Sequence, residues 1–141
     1  MTRTLKALML ATHVGLFACW LLTALFAIGA VSVPGEWLFS DYRDPIVISW
    51  NWSFLPLDFV LSVAGIVSIS LHVLGDARWL RFAFVSLSMT SCAGLMAISF
   101  WIIRGDFDVV WWAINLFLML WPAPYLMGGL GVDSTRFVRT Q

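Results

Sequence analysis

The chain has 141 residues, 61% of them hydrophobic and 11% charged. A soluble domain of that size needs a polar surface that this composition cannot supply, so lipid is the solvent it suits. Eight basic residues cancel eight acidic ones, which leaves no basic face for nucleic acid.

The first apolar stretch covers residues 7–33. Arg3 and Lys6 ahead of it, and small residues near Ala30, give it the outline of a secretion signal. Its core exceeds the roughly 7–15 residues typical of such signals, so it reads as a retained helix. Thr12, Gly15, Cys19 and Thr23 form a stripe of small residues along it, expected to be a packing seam against another helix. Cys19, like Cys92 further on, is expected to be a small buried core residue, and the absence of C-x-x-C argues against thiol relay chemistry.

About 20 residues separate this helix from the next. Pro34-Gly35 and Asp44-Pro45 read as helix breakers. Trp37, Phe39, Tyr42, Trp50 and Trp52 give the segment an aromatic character. Tyr and Trp favour the headgroup layer, so the segment is expected to lie on, or fold into, the outer face as a lid or binding loop.

The second stretch, residues 55–74, opens on Pro56-Leu57-Asp58. Pro56 suits a first helical position. An ionisable group near the head of a membrane helix is a functional candidate, which singles out Asp58. At 100° per residue, Asp58, Ser62, Gly65 and His72 share a face about 80° wide, directed toward protein. The alternative is that Asp58 only anchors the helix, favoured there by the helix dipole.

A short connection leads to the third stretch, residues 80–103, which carries Ser86, Thr90, Gly94 and Ala97 as a second small-residue seam. Another short connection leads to the fourth, residues 109–130. There Trp111, Trp112, Asn115, Met119 and Pro122 group on one side. Pro122 and Pro124 free the carbonyls of Leu118 and Leu120, which then need partners.

Four stretches of about 20 apolar residues can each span a bilayer, and short connections make neighbours antiparallel. The fold expected is all-α: one domain over residues 1–141, a four-transmembrane-helix antiparallel bundle with a long extracytoplasmic loop between its first two spans. Arg3, Lys6, Arg78, Arg81, Arg136 and Arg139 fall on one side, and Arg43 and Arg104 on the other. The positive-inside rule then puts both termini in the cytoplasm. Glu36, Asp41, Asp44, Asp58, Asp106 and Asp108 fall outside, against Asp76 and Asp133 inside.

Asp58 and Asn115 both fall in the outer half, with Asn51 and Trp52 placed to close over them. With Ser62, Trp111 and Trp112 they outline a mostly apolar pocket holding a few polar groups, the usual form of a small-molecule site. His13 and His72 lie toward the cytoplasmic side and could ligate haem or a metal, but no other ligand has suitable spacing. Core or interfacial histidines are the expected reading, with no cofactor and no metal.

The run Asn51-Trp52-Ser53-Phe54-Leu55-Pro56-Leu57-Asp58, the preceding Asp44-Pro45-Ile46 and the stretch Cys19-Trp20-Leu21-Leu22-Thr23-Ala24 together resemble the YvaD-type family of small bacterial four-pass membrane proteins. The resemblance implies a bacterial inner-membrane protein and brings no activity or catalytic residue with it. Three functions stay open. One is binding or transport of a small lipophilic or protonatable molecule at Asp58, with a homodimer expected because four helices are few for a transport path. Another is an enzyme using Asp58 as general acid on a lipophilic, isoprenoid-like substrate, with indoles stabilising developing positive charge. The third is an accessory subunit of a larger membrane complex.

Overall fold

The computed structural model describes residues 1–32, 34 and 41–128. Trp37, Phe39 and Glu36 of the loop, and Asp133, Arg136 and Arg139 near the C-terminus, lie outside the described residues. The rest is helical: α1 (Arg3–Ala27), α2 (Pro45–Ser53), α3 (Leu55–Val73), α4 (Trp79–Arg104), α5 (Val109–Leu120) and α6 (Ala123–Met127). Four helical segments are long and apolar enough to cross a membrane, as expected, with α2 and α3 together making the second and α5 and α6 the fourth.

Local chemistry sets the ends. Thr2 caps α1 by accepting the Leu5 N–H at 3.2 Å. Gly75 and Gly105, with φ of 74° and 76°, end α3 and α4 in the left-handed conformation that side chains resist, so the chain reverses within a few residues. Asp76 then accepts the Arg78 N–H at 2.8 Å and pairs with its guanidinium at 2.7 Å. Asp108 caps α5 by accepting the Trp111 N–H at 2.9 Å.

The long connection departs from its expected form. Asp44-Pro45 starts a helix there. The Asp44 carboxylate accepts the Ile46 N–H at 2.8 Å, and Pro45 occupies the first turn of α2, where a missing N–H costs nothing. Pro56 then interrupts the path at Phe54, and α3 continues beyond it. The segment folds into the bundle end. Val47 is buried beside Trp101, and Trp50 stacks on Phe100 at 4.0 Å. This end, the loop end, carries Arg104 paired with Asp44 at 2.8 Å, with Asp41 at 3.0 Å and with Asp106.

The helices pack in series: α1 on α3, α3 on α4, and α4 on α5. At the opposite, terminus end the series is tied by Leu5 and Met9 of α1, Ala83 and Leu87 of α4, and Trp121 at the α5–α6 break. Toward the loop end, α1 and α5 barely meet. The four spans therefore form an arc, closed at the terminus end and covered by α2 at the loop end.

The two small-residue stripes have opposite fates. Ser86, Thr90, Gly94 and Ala97 are buried, as a seam requires. A Cβ on Gly94 would lie 2.5 Å from the Asn115 carbonyl and the Met119 nitrogen, so α5 rests directly on α4. Along α1 only part of the stripe is covered. Thr12 and Thr23 are buried, but Gly15 has nothing within 4 Å of a would-be Cβ and Cys19 is exposed. The expected seam is instead the wall of a cavity. Cys92 is also exposed, so neither cysteine is the core residue expected.

At Pro122 the helix breaks after Trp121. Of the nearby carbonyls, it is Met119's that receives a side-chain hydrogen bond, from the Ser91 hydroxyl at 3.0 Å.

Candidate functional site

Between α1 and α5 lies a cavity of about 670 Å³. Asp58 reaches it from α3, Asn51 and Trp50 from α2, Trp101 from α4, and Trp111 and Asn115 from α5. Thr12, Gly15, Cys19 and Thr23 form its α1 wall. These small side chains leave the volume that larger ones would fill.

Asp58 is 8% exposed. Its Oδ2 accepts the indole N–H of Trp20 at 2.9 Å, and Oδ1 accepts no hydrogen bond among the described residues. Trp20 lies about 10 Å along α1 from the last residue, Ala27, well inside the span and away from the headgroup layer where indoles usually rest. Trp20 in turn packs on Trp52, with ring centroids 5.6 Å apart.

The geometry fits the anchor reading of Asp58 in part, since the residue stands in the first turn of α3, where the helix dipole favours an acid. No side chain caps the α3 N-terminus, and the Asp58 carboxylate bonds across to α1. Its own N–H bonds to the carbonyl of the N-cap Phe54 at 2.8 Å, within the first turn of α3.

The other expected residues divide. Asp58, Asn51, Trp111 and Asn115 line one cavity, but Asp58 and Asn115 are not bonded to each other. The Asn115 amide donates to the Trp111 carbonyl of its own helix at 2.8 Å, leaving its side-chain oxygen free to accept. Ser62 turns away from the cavity. It is buried and lines a separate void of about 30 Å³ with Asp58, Leu16 and Trp20, and its hydroxyl has no partner among the described residues. Trp52 supports Trp20 from outside the cavity. Trp112 packs on Phe107 at 5.1 Å and donates to the Asp106 carbonyl at 3.3 Å, which fixes the α4–α5 turn.

Residues the sequence reading left aside complete the site: Trp20, Trp50, Trp101 and Asp108. Trp20 carried a signal, as an indole in mid-span one position from the small-residue stripe. Trp101 carried none, because nothing in α4 distinguishes a Trp facing a cavity from one facing lipid.

The two histidines do not come together. His13 is buried, with Nε2 3.2 Å from the Ser86 hydroxyl, which itself donates to the Leu61 carbonyl at 2.9 Å. With that one proton committed, the Ser86 oxygen accepts, so Nε2 carries the imidazole hydrogen and Nδ1 is left without a partner. The ring occupies the place a Cβ on Gly65 would take. His72 lies about 10 Å further along α3 from Gly65 and packs edge-on against Trp79 at 5.1 Å. Among the described residues no three His, Cys, Asp or Glu side chains cluster as a metal site would need.

No solved structure matches this chain. One curated relative, "Uncharacterized protein YvaD" of Bacillus subtilis (strain 168), is 40% identical over 120 residues, covering 85% of this chain and 86% of its own. The match agrees with the resemblance carried by the Asn51–Asp58 run. A family model described as "Family of unknown function (DUF5360)" matches residues 5–136, and the chain belongs to that family.

Proposed function

We propose that this is a bacterial inner-membrane protein, with both termini in the cytoplasm, that binds or carries a small lipophilic molecule in the cavity between α1 and α5. The observation that carries the reading is a volume of about 670 Å³ reaching a buried acid between two helices that scarcely pack. Small-molecule sites are concave, mostly apolar and furnished with a few convergent polar groups. Asp58, Asn51 and Asn115 are such groups in a wall otherwise made largely of indoles and aliphatic side chains. The gap between α1 and α5 gives a ligand dissolved in the bilayer a direct way in. The orientation rests on Arg3, Lys6, Arg78 and Arg81 at the terminus end against Arg43 and Arg104 at the loop end.

The test uses the full chain in lipid nanodiscs with pyrene, an apolar probe whose emission is excited by energy transfer from tryptophan. Saturable emission is expected, and Gly15→Leu together with Cys19→Phe, which fill the cavity from α1, should abolish it while the protein stays folded. Emission that never saturates, or that survives the filled cavity, overturns the reading.

The same cavity also supports the enzyme reading, because it gives a lipophilic substrate access to Asp58. That reading predicts chemical change of an isoprenoid-like substrate that Asp58→Asn abolishes without loss of binding. Unchanged substrate after prolonged incubation with the folded protein counts against it.

A further inference from the structure

The cavity wall has a one-sided charge. Among the described residues it contains two carboxylates, Asp58 and Asp108, and no Lys, Arg or His. Asp108 is occupied as the α5 cap. Asp58 has an oxygen with no hydrogen bond, in a position more than nine-tenths buried. At the loop end, Arg104 is held by Asp41, Asp44 and Asp106, so it is already more than neutralised. The Asp58 Oδ1 and the side-chain oxygen of Asn115, whose amide gives one N–H to the Trp111 carbonyl, are free acceptors in the wall, and the donors left there, the Asn51 amide and the Thr12 hydroxyl among them, are uncharged.

Four indoles, Trp20, Trp50, Trp101 and Trp111, line the same space. Trp20 is oriented by its bond to Asp58 and Trp50 by its stack on Phe100. The faces of indoles carry the negative part of the aromatic quadrupole and attract cations more strongly than those of any other side chain. An acid without a base, free acceptors and fixed indoles make the same demand of a ligand.

We infer that the ligand is a lipophilic organic cation, an amine or onium group on an apolar body, with the cationic centre against Asp58 and the apolar body among the indoles. This deepens the binding reading above and rests on it. The apolar wall of α1 and the approach through the bilayer suit a molecule that partitions into lipid. The carboxylate and the indole faces select its charge. An anion of the same size would meet two carboxylates and no basic side chain among the described residues to offset them.

Tetraphenylphosphonium and tetraphenylborate have nearly the same shape and opposite charge, so they separate charge from size. Each displaces pyrene from the full chain in nanodiscs of uncharged lipid. The phosphonium is expected to compete roughly tenfold or more better than the borate, which corresponds to about 1.4 kcal/mol. Asp58→Asn keeps an oxygen for the Trp20 bond and removes the charge, so it should bring the two ions within about threefold of each other. Gly15→Lys projects a base into open space at the wall and should erase or reverse the preference through a different residue. Equal competition by the two ions in the wild type overturns the cation inference and leaves the cavity as a neutral lipophile site. A preference unchanged in both variants overturns it as well. Failure of pyrene and both ions to bind saturably overturns the binding reading itself.

Discussion

Two regions of this bundle use the same kinds of residue for opposite ends. Around His13, glycine and serine let helices touch: the His13 ring fills the space over Gly65, and Ser86 links it to the Leu61 carbonyl. Around Asp58, glycine, cysteine and threonine on α1 border empty volume. In a bilayer there is no water-driven force to close such a gap, because lipid tails are as apolar as the side chains. Dispersion and hydrogen bonds decide, and they act on only one of the two faces α1 presents. The side of α1 bearing Met9 and His13 meets α3 and α4, while Gly15 and Cys19 on the cavity side are left uncovered. A cavity can therefore persist without costing the fold its coherence, since the fold is held elsewhere.

The sharpest way to break this contrast is to add one methyl group in each region. Gly94→Ala should be the most damaging, because its Cβ meets α5 backbone that cannot swing aside. Gly65→Ala comes next, driving out a ring that is both buried and bonded. Each is expected to cost about 1–3 kcal/mol or more in unfolding from detergent micelles. Gly15→Ala should change stability by less than about 0.5 kcal/mol, and its better helix propensity favours a small gain. A loss at Gly15 comparable to that at Gly65 would mean that α1 packs against a neighbour there.

Hydrogen bonding gives a smaller contrast. Ser86→Ala strands the His13 Nε2 hydrogen in the core, at an expected cost of about 1–3 kcal/mol. In the open region, Trp20→Phe leaves the Asp58 carboxylate without its donor and should cost somewhat less, because a ligand or solvent can reach the free oxygen from the cavity. Asp58→Asn should be close to neutral in stability, since its amide oxygen still accepts from Trp20. Unfolding midpoints of the three variants check the order. An Asp58→Asn protein markedly less stable than Trp20→Phe would make Asp58 a structural anchor after all.

The helices were legible because each obeys a period, a length and a stop signal that are local. Asp58 was legible for a related reason: a charge in an apolar run declares itself without any knowledge of neighbours. The stripes were not, because Gly15 and Gly94 look alike along their own helices and differ only in whether another helix arrives. The same holds for the Asp44-Pro45 pair. A proline preceded by an acid can end one element or cap the next, and the choice turns on whether Val47 and Trp50 find Trp101 and Phe100 to pack on. Trp20 lay in plain view, but its bond to Asp58 joins positions 38 residues apart, and no helical period reports that.

The cover of the cavity provides the gentlest test, through pH. Asp44 accepts the Ile46 N–H and pairs with Arg104, and these hold its carboxyl below the usual carboxylate range. A folded value depressed below the unfolded one means that the stabilising contribution is complete above about pH 4. It is lost as pH falls through the lowered folded value. Amide protection across residues 45–53, corrected for the intrinsic pH dependence of exchange, should therefore hold near neutrality and decline below about pH 4, while α3 and α4 stay protected. Asp44→Asn separates cap from charge, because asparagine caps a helix about as well as aspartate but does not titrate. Its α2 should start slightly less protected, having lost the pair with Arg104, and should lose the part of the acid response that belongs to Asp44. An undiminished decline in Asp44→Asn would mean that Asp44 does not set the acid response of α2, although Arg104 also pairs with Asp41 and Asp106.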